Sequence, residues 1–472
     1  MRYIRFFIAL FSPKMPIYFT YMLQQVEYNQ SKFLKWLFRF PIFTNVIKRK
    51  TLQKTVAAQS LIVATYIIWI LVNLSSVLLL RFSIYWAILF MFSPLISIGI
   101  VLLMLIIARL LIIRPKEKIL ITKSNAIFAN SHAIKIAVAG SYGKTTMKHL
   151  LDSVLSQKFN VATTPGNMNT PIAHARFADK LSGSEDIIVL EYGEGKPGDI
   201  SAFTKNTQPE YAIITGIAPN HLDQYKTIDL LANDLFSLRE YISNEKLYIS
   251  SDSVAIEKYL KKDDETFSRT ESLGWKISAV YVSIDGTRFI MKRKSKKIVI
   301  KSKLLGFHQV APLAFVASLA VKLGMKISEV ETAIAKIPPF EHRMSTYIIS
   351  GACIIDDTYN GNIEGMTAGL QLLKVLKAKR KVYVTPGLVD QGEQTESVHI
   401  RLAFAIMQAD LALVVLMKNS ATEIIQKTLH EHDYQGIVQL IEDPLNFYNN
   451  LEKVVAAGDL VLMQNDWTDN YN

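Results

Sequence analysis

The sequence predicts an α/β protein in which two α/β domains follow a transmembrane helical hairpin. Three observations carry this. Ala57–Leu80 and Phe82–Ala108 contain no charged residue, and each exceeds the roughly 20 residues a helix needs to cross a hydrocarbon core of about 30 Å. From about residue 115 short apolar strands alternate with helical segments, the pattern of a parallel sheet with functional loops at its strand C-termini. A strand also runs into a glycine turn and Gly143-Lys144-Thr145 at a helix start.

The chain has 472 residues, 50% of them hydrophobic and 20% charged. At roughly 150 residues per domain this allows about three domains, and the composition excludes disordered and collagen-like chains. The single cysteine, Cys353, excludes an internal disulfide framework and a multi-cysteine metal site. Residues 1–57 hold ten Lys/Arg and one acid, Glu27, so this segment carries +9 of the total +12. Positive charge beside an apolar block points to a membrane surface, not to nucleic acid.

Only Arg81 separates the two apolar stretches, so they read as a tight hairpin. Basic residues flank both outer ends, with Arg109, Arg114, Lys116, Lys118 and Lys123 after the second. The positive-inside rule then places the N-terminus and everything after residue 114 in the cytoplasm, anchored to the cell membrane. Segment 1–56 lacks the pattern of a cleavable signal peptide: its first apolar run, Ile4–Phe11, is short and no small-residue cleavage site follows. Aromatics alternate with bases in Lys32–Phe43, which suits either an interfacial amphipathic helix or an ordinary basic juxtamembrane tail. The expected organisation is 1–56 basic segment, 57–113 two membrane helices, 114–338 central domain and 339–472 C-terminal domain. The hinge is expected at Ile337-Pro338-Pro339.

Ile134–Ala139, Ile187–Glu191 and Tyr211–Gly216 read as buried parallel strands of the central domain. Ala279–Ile284 and Thr287–Met291 read as an antiparallel hairpin turning at Asp285-Gly286. In the C-terminal domain the expected strands are Cys353–Ile355, Lys381–Val384, Leu411–Val415 and Leu460–Met463.

The sharpest motif is Gly140-Ser141-Tyr142-Gly143-Lys144-Thr145-Thr146, with a helix expected over Met147–Leu155. Backbone N–H groups of such a turn cradle phosphate oxygens. Lys144 is expected to reach the β/γ-phosphates and the Thr145 hydroxyl to ligate Mg²⁺. The spacing departs from the common Walker A pattern, because Val138 stands where its first glycine belongs.

The shorter Gly-x-x-Gly-Lys-Thr-Thr form resembles that of the Mur ligase family, ATP-dependent amide ligases of peptidoglycan synthesis. Further motifs follow in the family's order: Thr164–Asn169, Glu191-Tyr192-Gly193 with Pro197–Ile200, Asn220–Asp223, Gly306-Phe307-His308, His342-Arg343-Met344, Asp356–Asn362, and Val384–Gly392 with His399. Together they cover about 133–472. They look most like the branch that joins D-alanyl-D-alanine to UDP-N-acetylmuramoyl-tripeptide. The resemblance implies a central P-loop-type ATPase domain and a C-terminal Rossmann-like domain.

The implied reaction phosphorylates a substrate carboxylate with ATP, after which an amine (an amino acid or dipeptide) attacks the acyl phosphate. The resemblance assigns Lys144, Asn167, His221 and Arg343 to catalysis. It gives Thr145, Glu191 and His221 to Mg²⁺, and His308, Gln309, Arg343 and Asp357 to the nucleotide. Asn360 and Asn362 are candidates for the amine site.

The sequence departs from the family in four places. No lysine stands 14–15 residues after His221, where the family carries a carbamylated one; Asp234 is adjacent and is the expected replacement metal ligand. Gln309 and Pro312 replace the two asparagines of the adenine helix. Gln464–Asn470 replaces a Lys-Gly-Ser segment. A membrane hairpin stands where the branch carries a UDP-sugar-binding domain, so the acceptor is open between a small-molecule and a lipid-linked cell-wall precursor. A ligase for another acid, such as a polyglutamate-type substrate, and a catalytically weakened membrane scaffold are the alternatives.

Overall fold

The computed structural model describes residues 8–26, 28–39, 52–166, 168–218, 222–359, 361–388 and 391–465. The chain divides into two compact units, Met1–Ile119 and Leu120–Asn472.

In the first unit, Val56–Leu79 and Ala87–Ala108 form the two long apolar helices. Thr55 caps the first by accepting from the Ala58 N–H. The second keeps its helix through Pro94. The first, and the helical stretch Ile84–Asn130 that contains the second, are long and apolar enough to cross a membrane, with mean hydropathy 2.2 and 2.9 over their most apolar windows. Their polar groups turn toward one another: the Ser93 hydroxyl donates to Asn73 Oδ1 at 3.0 Å, and Thr65, Ser76, Ser93 and Ser97 are buried. Small hydroxyl residues at a helix–helix contact let the backbones approach and satisfy polar atoms away from water. The amphipathic segment forms a helix over Gln30–Arg39. Its Phe33 and Leu37 are buried in a cluster with Phe19, Leu61, Ile98 and Val101, so these two apolar side chains pack on protein. Residues 40–43 lie outside the described residues.

The second unit holds two sheets. The strands of the first are β1 Ile134–Ala139, β2 Val161–Thr163, β3 Ile187–Glu191, β4 Tyr211–Ile214, β5 Leu247–Ser250, β6 Glu265–Phe267, β7 Glu271–Ser272, β8 Trp275–Ser283, β9 Gly286–Arg293 and β10 Lys296–Ser302. Their order is β10-β9-β8-β7-β6-β5-β4-β1-β3-β2. β2 through β6 pair in parallel around β1, and β7 to β10 add an antiparallel wing. One face packs on the helices Lys144–Leu155, Val310–Lys322 and Ile327–Lys336 through Ile136, Val138, Leu150, Val154 and Phe315. The other buries Ala137, Leu190, Phe203, Leu231 and Leu235. Because both faces are covered, β1 from Ile136 onward and β3 as far as Leu190 read as continuous apolar runs.

The wing corrects one expectation. Ser283 pairs with Gly286, so the two loop residues are Ile284 and Asp285, one position earlier than predicted. Gly286 is needed in the strand itself: at φ 132° a Cβ there would meet the Ser302 carbonyl oxygen at 1.9 Å. β4 likewise ends at Ile214 rather than Gly216.

The second sheet comprises β11 Ser345–Ile349, β12 Ala352–Asp357, β13 Arg380–Thr385, β14 Leu413–Met417, β15 Ile437–Ile441 and β16 Asp459–Gln464, in the order β11-β12-β16-β13-β14-β15. Only β11 is antiparallel. β16 lies between β12 and β13, so three loops converge at its C-terminal end, the position at which open α/β sheets bind ligands.

Candidate active site

The phosphate loop leaves β1 at Ala139, and its helix starts at Lys144, three residues before the predicted Met147. Gly140 has φ 133° and a Cβ there would meet Thr215 Oγ1 at 2.4 Å, so the loop closes on β4 only with glycine. Ser141 N–H donates to the Gly216 carbonyl at 2.8 Å. The Thr215 hydroxyl donates to the carbonyls of Ala139, at 3.1 Å, and Tyr142. Gly143 takes the left-handed conformation at the helix N-terminus, where free N–H groups and the helix dipole favour an anion.

Two lysines and two glutamates meet beside this loop. Lys144 Nζ donates to the Gly140 carbonyl at 2.5 Å and to both Glu194 oxygens at 2.8 and 2.7 Å. Glu191, at the end of β3, is 1% exposed. Its Oε1 accepts from the Thr145 hydroxyl at 3.2 Å and Asn169 Nδ2 at 3.3 Å. Its Oε2 lies 3.0 Å from Lys148 Nζ, which also donates to the Gly166 carbonyl. Lys148 is fully buried. The backbone of Glu191 is fixed as well: its N–H donates to Thr164 Oγ1 at 3.1 Å, and its carbonyl accepts from His174 Nε2 at 2.8 Å. Burial holds His174 neutral, with its pKa lowered to about 4. Glu191 thus presents one oxygen toward Thr145 while the other is neutralised from behind.

Gly140, Ser141, Tyr142, Gly143, Lys144, Thr145 and Thr146 form the loop and first helical turn, and Glu191 joins them. Asn167, His221 and Asn360 lie outside the described residues. Asp234 is buried with both oxygens in use: Oδ1 accepts from Gly198 N–H at 3.0 Å and Oδ2 from the Tyr225 hydroxyl at 2.7 Å. Burial raises its pKa. Among the described residues no group of three His, Cys, Asp or Glu side chains gathers closely enough to hold a metal ion. Lys148 and Glu194 were not anticipated.

His308 and Gln309 pair with each other, Gln309 Nε2 to His308 Nε2 at 2.9 Å. His308 Nδ1 and Gln309 Oε1 are buried with no hydrogen-bond partner among the described residues. Burial lowers the His308 pKa to about 4, so one acceptor and one ring nitrogen stay available to a heterocycle. Orphaned polar atoms here, and a glycine cradle beside Lys144, fit a nucleotide in chemistry and charge.

The second sheet supplies Arg343. It sits between His342 and Met344, whose φ values of 57° and 54° are left-handed. Such strain in non-glycine residues persists only where surroundings enforce it. Here His342 Nδ1 is 2.7 Å from Asp356 Oδ2, and Tyr359 N–H donates to the His342 carbonyl at 3.1 Å. The Arg343 guanidinium stacks on Tyr359 at 4.4 Å. Desolvation lowers its pKa, and the carboxylates of Glu191 and Asp357 oppose that shift. Asp357 accepts from Gln464 Nε2 at 2.8 Å, and burial pushes its pKa up to about 7. Asn465 ties the three loops at this edge: its Oδ1 accepts from Gly361 N–H at 3.0 Å and its Nδ2 donates to the Gly387 carbonyl at 2.6 Å. Leu388 N–H donates to His399 Nε2 at 3.0 Å.

Residues 138–320 match the family described as Mur ligase middle domain. That segment, and not the whole chain, carries the family match. Among curated relatives, the UDP-N-acetylmuramoyl-tripeptide–D-alanyl-D-alanine ligase of Escherichia coli K12 is 23% identical over 303 residues, covering 59% of this chain and 63% of the relative. The ligase of the same name from Borreliella burgdorferi is 27% identical over 277 residues, covering 56% and 58%. The chain therefore aligns to less than two thirds of the length of these relatives. The MurF structure from Acinetobacter baumannii superposes with TM-score 0.65 at 19% identity, covering 74% of this chain and 77% of that one. MurF from Thermotoga maritima, in complex with ADP, gives 0.65 at 21% identity, covering 75% and 81%. Over about three quarters of its length the chain therefore has the fold of these MurF structures.

Proposed function

We propose that this chain is a Mur ligase that forms an amide bond between a carboxylate of a peptidoglycan precursor and an amine of the D-alanyl-D-alanine type, with ATP as the energy source. The observation that carries this is one cluster at the phosphate loop: Lys144 and Thr145 open its helix, and the Thr145 hydroxyl donates to Glu191 Oε1 at 3.2 Å. The loop N–H groups and Lys144 hold the ATP phosphates. Arg343 adds positive charge where the γ-phosphoryl group leaves, and transfer of that group depends mainly on such neutralisation and alignment. Thr145 and Glu191 Oε1 are the oxygens that would hold Mg²⁺ together with the phosphates, with His221 as a further candidate ligand. A Mg²⁺ ion held there would supply charge neutralisation to the transferring phosphate. His308 and Gln309 face the base and Asp357 the ribose. The loops gathered by Asn465 hold the amine, and both sheets together exclude water from an acyl phosphate that water would hydrolyse.

The two apolar helices anchor this cytoplasmic machinery to the cell membrane. A surface-bound enzyme meets lipid-linked precursors at raised effective concentration, so the acceptor class extends to a muramoyl-peptide carboxylate on a lipid carrier.

The test is detergent-purified chain with Mg-ATP, D-Ala-D-Ala, and either UDP-muramoyl-tripeptide or its lipid-linked counterpart, scored for amide product and phosphate. Product with either acceptor, absent in Lys144→Ala, is expected. Phosphate release with no amide from either would overturn the reading.

A further inference from the structure

Glu194 has no role in the reading above, yet it holds the lysine on which that reading depends. Lys144 carries three N–H donors, and all three are spent: one on the Gly140 carbonyl and one on each Glu194 oxygen. Their side chains are 11% and 2% exposed. A bidentate carboxylate thus meets the ammonium much as two oxygens of a phosphate would. A nucleotide phosphate and Glu194 cannot both take Lys144 in this way.

Releasing Glu194 leaves a buried carboxylate without a counter-ion, which is strongly unfavourable. Lys148 is not available as a substitute, because it is committed to Glu191 and Gly166. The replacement charge must arrive with the ligand. We propose that Glu194 is the exchange carboxylate of the phosphate site: it gives up Lys144 to an incoming phosphoryl group and takes the divalent cation that accompanies that group. Metal-free nucleotide must break the Lys144–Glu194 pair with nothing to offer Glu194, whereas the metal complex replaces one pair with two. Glu194 thereby makes the site select metal-complexed over free polyphosphate. This inference rests on the nucleotide-binding reading proposed above.

The test measures ATP binding to the full-length chain in detergent by equilibrium dialysis, once in EDTA and once in excess Mg²⁺, for the unmodified chain, Glu194→Gln and Lys144→Ala. Glu194→Gln is expected to bind ATP in EDTA about tenfold or more tightly than the unmodified chain, because the competing charge is gone. The ratio of binding with Mg²⁺ to binding without it is expected to shrink by about tenfold or more. An unchanged ratio, or weaker binding of metal-free ATP by Glu194→Gln, overturns the proposal. Should Glu194→Gln fail to fold by its melting curve, Glu194→Asp replaces it; its carboxylate is one methylene shorter and should move both quantities in the same direction by less. If the unmodified chain binds ATP and Lys144→Ala does not, while the Glu194 variants change nothing, only this inference falls. If the unmodified chain binds no ATP under either condition, the proposed function falls with it.

Discussion

The C-terminal edges of the two sheets are built from opposite chemistry. At the first, two ammonium groups and two carboxylates form two buried pairs, Lys144–Glu194 and Lys148–Glu191. At the second, amides do the joining: Asn465 bridges Gly361 and Gly387, and Gln464 holds Asp357. Buried ion pairs are costly to desolvate and respond steeply to any ion that enters. Amide bridges fix loop geometry with little response to charge. The first edge is therefore suited to a highly charged ligand that rearranges it, and the second to a ligand recognised by shape and hydrogen bonds. In the proposed function the phosphate donor takes the first edge and the amine the second.

The largest effect should come from the charged edge. Lys144→Ala should abolish measurable product, and Glu191→Gln should lower kcat by about a hundredfold or more, as expected for groups that neutralise charge in phosphoryl transfer. Retention of activity by either would erase the distinction between the edges. Next, Lys148→Met leaves Glu191 buried and unpaired and should cost about 3–5 kcal/mol of stability, read as a fall in denaturant midpoint. The double variant Lys148→Met/Glu191→Gln should recover much of that stability without recovering activity. If it recovers nothing, Lys148 acts through packing and not as a counter-ion.

At the amide edge, Asn465→Ala should raise KM for the amine by about tenfold and leave ATP affinity within about twofold, since a lost pair of hydrogen bonds is worth roughly 1–3 kcal/mol. Equal losses for both substrates would show that the edges are not separable. The smallest effect concerns pH. The Asp357 pKa is raised from 3.8 to about 7, so the folded chain holds this proton longer than the unfolded one. Stability from this group is then full below about pH 4 and declines as pH rises toward 7. Asp357→Asn should flatten that decline in unfolding free energy across pH 4–7. An unaltered slope would remove Asp357 as its source.

Much of the charged edge was legible in the sequence because its parts are contiguous. Ile136–Thr146 encodes strand, turn and helix start in one run, and Glu191 ends an apolar strand. Lys148 and Glu194 were missed for a common reason: each stands within four residues of a recognised group and takes its meaning only from what lies across the sheet. A signal existed for Lys148, a lone charge on the face that buries Met147, Leu151 and Leu155. β11 and β15 are edge strands that pair on one side only and are partly exposed; β11 opens on Ser345-Thr346 and carries little apolar signal, whereas Ile437, Val438, Leu440 and Ile441 of β15 were a signal that could have been read. The Asp234 expectation rested on sequence distance from His221. The fold instead engages its oxygens with Tyr225 and Gly198. The bridging by Asn465 was invisible, since it joins positions 361, 387 and 465 across three loops.

The most direct test of the central claim follows oxygen atoms. The acceptor carboxylate is labelled with ¹⁸O, incubated with the chain, Mg-ATP and D-Ala-D-Ala, and the released phosphate is analysed by mass. If the carboxylate attacks the γ-phosphoryl group and the amine then displaces phosphate, each phosphate carries one ¹⁸O for every amide formed. Phosphate free of label would mean that water takes the phosphoryl group, and the chain would be an ATPase and not a ligase.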